Sequence, residues 1–178
     1  MYLWFSIDVD KYYQDLKEKV EYVKNEIGCI FDTNGLPYHI SLKISFEVPI
    51  DKEYDIIKDI EDFYKSLKPF TIKTRGIEEN NVILWVRYQE NEYLTYISKK
   101  INEILNVKYG IPYHPYDTDF IFHTTLFMND DHNIIHKGYK MLKNEKLKDE
   151  LYINTFIIGY SPAGIPGTYS VLKEIEVN

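Results

Sequence analysis

A chain of 178 residues, 44% apolar and 16% aromatic, suits one compact domain or two small lobes sharing a core. Its net charge of −7 argues against a protein that coats long nucleic acid, because that affinity rests on broad phosphate neutralisation, yet it leaves room for a local pocket that takes a nucleotide or an RNA end. No apolar run approaches the ~20 residues of a membrane span, Met1 to Asp8 lack the basic start and cleavage site of a signal peptide, and Cys29 as the only cysteine excludes an intramolecular disulfide, so the expected setting is cytoplasmic.

Periodicity predicts a regular alternation. Leu3 to Val9 reads as a strand and Asp10 to Ile27 as a helix, with Leu16, Val20, Val23 and Ile27 at helical spacing and Gly28 as its stop. Tyr38 to Val48 is a strand entered through the turn-like Asn34-Gly35-Leu36-Pro37 and ended by Pro49. Glu53 to Leu67 is an amphipathic helix, and Phe70 to Arg75 a strand. The order then begins again: strand Val82 to Tyr88, helix Glu92 to Val107, strand Ile121 to Met128, helix Asp131 to Leu147, strand Leu151 to Tyr160. A Gly/Pro-rich connection, Ser161 to Gly167, leads to a last strand, Tyr169 to Val177.

Two short segments in these strands share one frame: His39-Ile40-Ser41-Leu42 and His123-Thr124-Thr125-Leu126. Residues i and i+2 of a strand project from the same face, so each segment presents an imidazole beside a hydroxyl. Other matches occur in the same order. Leu3-Trp4 recurs as Leu84-Trp85, and Tyr64-Lys65-Ser66-Leu67-Lys68 as Tyr139-Lys140-Met141-Leu142-Lys143. A duplication related by a pseudo-two-fold axis accounts for all three, with a first repeat over about 1–76, a second over about 82–160 and a closing strand over about 168–177 of a single bilobal domain. That symmetry brings the two His-bearing strands to either side of a central cleft. Unrelated polar residues on half-exposed strands would be the plainer reading of His39 and His123, and the shared frame argues against it.

Lys43 continues the His39–Ser41 face by strand alternation, which makes it either a substrate-binding charge at the groove mouth or a solvated strand-end lysine. His132 and His136 stand i, i+4 on a helix after Asp130 and Asp131, a spacing open to a metal; without a known zinc constellation around them, a solvated helix face is preferred. His114 is read as a loop residue and Cys29 as a small buried apolar one. Tyr38, Tyr113 and Tyr116 flank the motif strands as candidate base-stacking platforms. The glycines of Gly159 to Gly167 match no phosphate-loop or dinucleotide fingerprint.

The paired motifs resemble the His-x-Ser/Thr-hydrophobic signatures of the 2H phosphoesterase superfamily, which includes 2′-5′ RNA ligase-like proteins and cyclic nucleotide phosphodiesterases; the likeness extends over nearly the whole chain, to the closing Tyr169-Ser170-Val171-Leu172 strand. The resemblance implies that His39 and His123 are the catalytic pair and that Ser41 and Thr125 bind the phosphate. The chemistry agrees: opening a cyclic phosphodiester needs a base for water and an acid for the departing ribose oxygen, and imidazole supplies either form near neutrality. That scheme needs no metal and no cofactor. Many relatives of the ligase type carry a basic residue shortly after the second motif. Phe127 and Met128 stand there in this chain, which argues against tight binding of an extended RNA backbone.

The expected fold is α+β, two pseudo-symmetric lobes, each an antiparallel sheet with helices on its outer face and a cleft between them; a doubly wound parallel sheet is the competitor. The expected function is metal-independent hydrolysis, or by family analogy reversible ligation, of a nucleotide or RNA-terminal phosphodiester such as a 2′,3′-cyclic phosphate or a 2′-5′ linkage, with a non-catalytic nucleotide- or RNA-binding module as the alternative and a protein-interaction domain with incidental histidines as a third reading. No membrane contact and no partner protein are expected.

Overall fold

A computed structural model describes residues 1–30, 36–49, 51–117 and 120–178. Asn34 and Gly35 of the expected turn lie outside the described residues. The elements run β1 (Tyr2–Asp8), α1 (Gln14–Ile27), β2 (His39–Glu47), α2 (Glu53–Ser66), β3 (Phe70–Asn80), β4 (Ile83–Tyr88), α3 (Glu92–Tyr109), β5 (His123–Met128), α4 (His132–Leu142), β6 (Glu150–Ile153), β7 (Thr155–Ser161) and β8 (Ser170–Glu176).

Local chemistry sets most boundaries. Gly28 and Gly110 end α1 and α3 in the left-handed region at φ 71° and 68°, where a residue without Cβ is unstrained. Asn91 and Asp131 cap α3 and α4 by accepting from the N–H groups of Leu94 and Asn133, each at 2.9 Å. The helix expected from Asp10 begins instead at Gln14, after a 3-10 turn over Asp10–Tyr12. The reason is a tertiary demand on Asp10, whose carboxylate accepts from Tyr38 N at 2.7 Å and pairs with Lys17, while Tyr13 turns inward.

The strands form two four-stranded sheets, ordered β2-β1-β7-β8 and β5-β4-β3-β6, with every neighbouring pair antiparallel. The parallel competitor is thereby excluded. Sheet membership does not follow the sequence repeat. The third strand of the first repeat, β3, lies in the sheet of the second, and β7 returns from the second repeat to lie beside β1. The expected strand from Leu151 to Tyr160 divides at Asn154 for the same reason: β6 pairs with β3 in one sheet, and β7 pairs with β1 in the other. Helices are exchanged too, with α2 and α3 packing on the first sheet and α1 and α4 on the second.

The core is one apolar cluster that includes Leu3, Phe5 and Ile7 of β1 and Leu84 and Val86 of β4. Each such side chain contributes about 1.5–3 kcal/mol by leaving water. Their alternation turns Trp4, Ser6 and Asp8, and likewise Trp85 and Arg87, to the opposite, concave faces. The edge strands β2 and β5 meet at the cleft. There the Thr124 hydroxyl donates to the carbonyl of His39 at 3.2 Å, Tyr88 stands 2.8 Å from Thr124, and Tyr13 stands 3.0 Å from Tyr88. Since Thr124 spends its proton on His39, Tyr88 donates to Thr124 and Tyr13 to Tyr88, a buried chain that ties the lobes together. No helix among the described residues is long and apolar enough to cross a membrane.

Candidate active site

Cross-strand register builds the site. His39 pairs with Asp8 and Ser41 with Ser6, while His123 pairs with Arg87 and Thr125 with Trp85. Directly opposed residues of an antiparallel pair share a face, so all of them line the concave side. Each motif ends in a bulge. Ser6 opposes Ser41 and Phe5 opposes Lys43, which leaves Leu42 without a counterpart; Trp85 opposes Thr125 and Leu84 opposes Phe127, which leaves Leu126 without one. A bulge bends its strand and breaks the alternation.

The two imidazoles are held alike. His39 Nδ1 lies 2.9 Å from the carbonyl of Pro37, and His123 Nδ1 lies 2.6 Å from that of Ile121. A carbonyl only accepts, so both Nδ1 atoms carry hydrogen and both Nε2 atoms remain for chemistry. Each ring also rests on an indole: His39 on Trp4 with centroids 4.9 Å apart, His123 on Trp85 at 4.5 Å. Trp4 in turn lies over Gly159, where an added Cβ would come within 1.9 Å of the indole. A cavity of about 210 Å³ opens beside the first motif, lined among others by Trp4, His39, Ser41, Ser45 and Tyr169.

Burial holds both histidines below the usual imidazole pKa. The surrounding charges then separate them. Asp8 and the Pro37 carbonyl favour a proton on His39, whereas Arg87 and His39 disfavour one on His123, against the pull of the Ile121 carbonyl. The arrangement thus provides two aimed ring nitrogens in unlike charge surroundings, each two residues from a hydroxyl on its own face.

His39, Ser41, His123 and Thr125 are brought to the cleft. Lys43 is not at its mouth. The Leu42 bulge turns it inward, and its ammonium pairs with Asp117, the two side chains 2% and 0% exposed, though it still borders the cavity. Phe127, the matching position of the second motif, is likewise buried. His114 supports the same turn, its N–H donating to Asp117 at 2.6 Å. His136 pairs with Glu79 at 2.8 Å, and no group of three or more His, Cys, Asp or Glu side chains placed to hold a metal occurs among the described residues. Tyr38 is buried against Tyr13, Tyr113 and Tyr116 are exposed, and Tyr169 lines the cavity instead. Cys29 is buried.

Asp8, Trp4, Trp85 and Arg87 are the residues sequence reasoning missed as members of the site. The two tryptophans were visible as repeat markers. Their role beneath the histidines depends on pairing between strands far apart in the chain.

No family model and no curated protein matches the sequence, so the likeness to known proteins is one of structure. TT0787 of Thermus thermophilus superposes with a TM-score of 0.64 at 15% identity, covering 99% of this chain and 97% of that one. E. coli LigT complexed with 3′-AMP gives 0.63 at 14% identity over 99% and 97% of the two chains. A phosphoesterase crystal structure gives 0.55 at 15% identity over 99% and 98%. The chain therefore has the two-sheet α+β fold of the LigT structures along essentially its full length.

Proposed function

We infer that the chain is a phosphoesterase of the 2H type, hydrolysing a nucleotide or RNA-terminal phosphodiester such as a 2′,3′-cyclic phosphate. The observation that carries this reading is the matched pair of imidazoles. Each is fixed through Nδ1 to the carbonyl two residues before it, and each is followed by a hydroxyl on the same face. The shared fold with LigT, a protein that holds 3′-AMP, supports the substrate class.

In the scheme, His123 is neutral and its Nε2 takes a proton from water as the water oxygen attacks phosphorus. The bond from phosphorus to one ribose oxygen breaks, and protonated His39 gives its Nε2 proton to that departing oxygen. Water is added across the ester; with a ribose hydroxyl in the place of water, the same opening of the ring joins two nucleotides through a new phosphodiester, which is ligation. Ser41 and Thr125 donate to the nonbridging oxygens, where negative charge accumulates. The assignment of base and acid follows the charges opposite each ring, Arg87 by His123 and Asp8 by His39.

His39→Ala and His123→Ala should each abolish hydrolysis of 2′,3′-cyclic AMP while melting near the parent temperature. Near-parental turnover in both variants would overturn the reading. Nucleotide binding by calorimetry without turnover at any pH would make the protein a binding module instead.

A further inference from the structure

Neither motif strand carries a free cation onto the concave face. Lys43 is committed to Asp117 in the interior, and the second motif continues with Phe127 and Met128. The neighbouring strand β4 supplies one. Arg87 stands directly opposite His123, and its guanidinium lies over Trp85 at 5.2 Å, the same indole on which the His123 ring rests at 4.5 Å. One aromatic platform therefore sets the cation beside the base.

The guanidinium has more donors than partners. Its Nε is shielded from solvent and lacks a hydrogen-bond acceptor. Its ion pair, from an Nη to Glu78, is long at 3.7 Å, and that carboxylate is engaged more closely by Arg75 at 2.9 Å. The side chain is 19% exposed, so it is held in place yet reachable. A planar fork fixed on an indole, with donors to spare beside a general base, fits two oxygens of one phosphate.

We propose that Arg87 is the phosphate-anchoring residue of this site, supplied from a strand outside both motifs; the proposal rests on the phosphoesterase reading above. A single anchor also defines the substrate class. It seats one phosphodiester of a mononucleotide or an RNA end, and the motif strands offer no run of cations for an extended backbone to follow.

The test is a titration with inorganic phosphate, read by the ring-proton NMR signal of His123, which is assigned by its loss in His123→Ala. The parent should bind, and Arg87→Met should bind about ten- to a hundredfold more weakly, the loss of charged hydrogen bonds. Arg87→Lys keeps the charge without the fork and should fall between them, and it answers the question if Arg87→Met does not fold. Equal phosphate affinity in parent and variants, or no response of the parent His123 to phosphate, overturns the anchor. Phosphate binding that depends on Arg87 in a protein that never opens 2′,3′-cyclic AMP upholds the anchor and sinks the enzymatic reading, so the two fail separately.

Discussion

At the scale of single residues, the site depends on how each imidazole is fixed and surrounded. Burial lowers both pKa values, and under the proposed scheme His39, as the acid, must carry a proton. Its protonated fraction falls as pH rises through a value below the ~6.5 of free imidazole, and His123, the base of that scheme, is held below the same value by burial. The bell of kcat/KM against pH should therefore centre on the acid side of ~6.5. Asp8→Asn removes a charge that favours the proton on His39 and should move the descending limb further down. A descending limb above pH ~7 would contradict this account. A second dependence runs through Gly159. A methyl at that position meets the indole on which His39 rests, so Gly159→Ala should cost about 1–3 kcal/mol and, in a cyclic-phosphate assay, lower kcat more than its stability loss explains. Parent-like turnover with a parent-like melting temperature would show that the indole tolerates the shift. The four motif residues were legible because a period of two is a local property. Arg87 was not, because nothing in one strand's spelling says which residue of another will face it.

At the scale of elements, the fourth position of each motif acquires a meaning that the pattern of residue types does not carry. Leu42 and Leu126 are the bulged residues of β2 and β5, and the next side chain along each strand, Lys43 or Phe127, turns to the interior. That is why alternation failed at Lys43 and held up to Ser41. The buried pair of Lys43 and Asp117 joins β2 to the turn before β5. Lys43→Met should cost about 3–5 kcal/mol, because it strands a buried carboxylate. The double change Lys43→Met with Asp117→Asn should recover part of that loss in denaturant unfolding. Additive losses would show that the two side chains do not act as a pair. Helix boundaries were readable where a cap or stop is written within a few residues of them, at Asn91, Asp131, Gly28 and Gly110, and not at the start of α1 or at the end of α4, which stops at Leu142 instead of Leu147.

At the scale of the whole molecule, the order of the elements was legible and their partition between the sheets was not. The pattern of strand, helix, His-strand, helix and strand occurs twice, and the structure honours it. Yet each repeat lends a strand to the other's sheet, and the helices cross over as well. Hydrophobic periodicity gives a strand its faces but not its neighbours, so Leu151 to Tyr160 read as one strand although its halves belong to different sheets. The exchange weaves both halves of the chain around a shared apolar core.

The buried hydroxyl relay from Tyr13 through Tyr88 and Thr124 to the His39 carbonyl has a kinetic corollary. With the chain crossing between the sheets more than once and this relay pinning their edges, the jaws have no axis on which to swing. An enzyme gated by closure slows when the solvent thickens, because the gate must push solvent aside. Here kcat for 2′,3′-cyclic AMP should stay level as sucrose raises the viscosity severalfold, and a fall in step with viscosity would reveal a moving part. The relay makes this a vice already set to its gap, into which the substrate must fit as it comes.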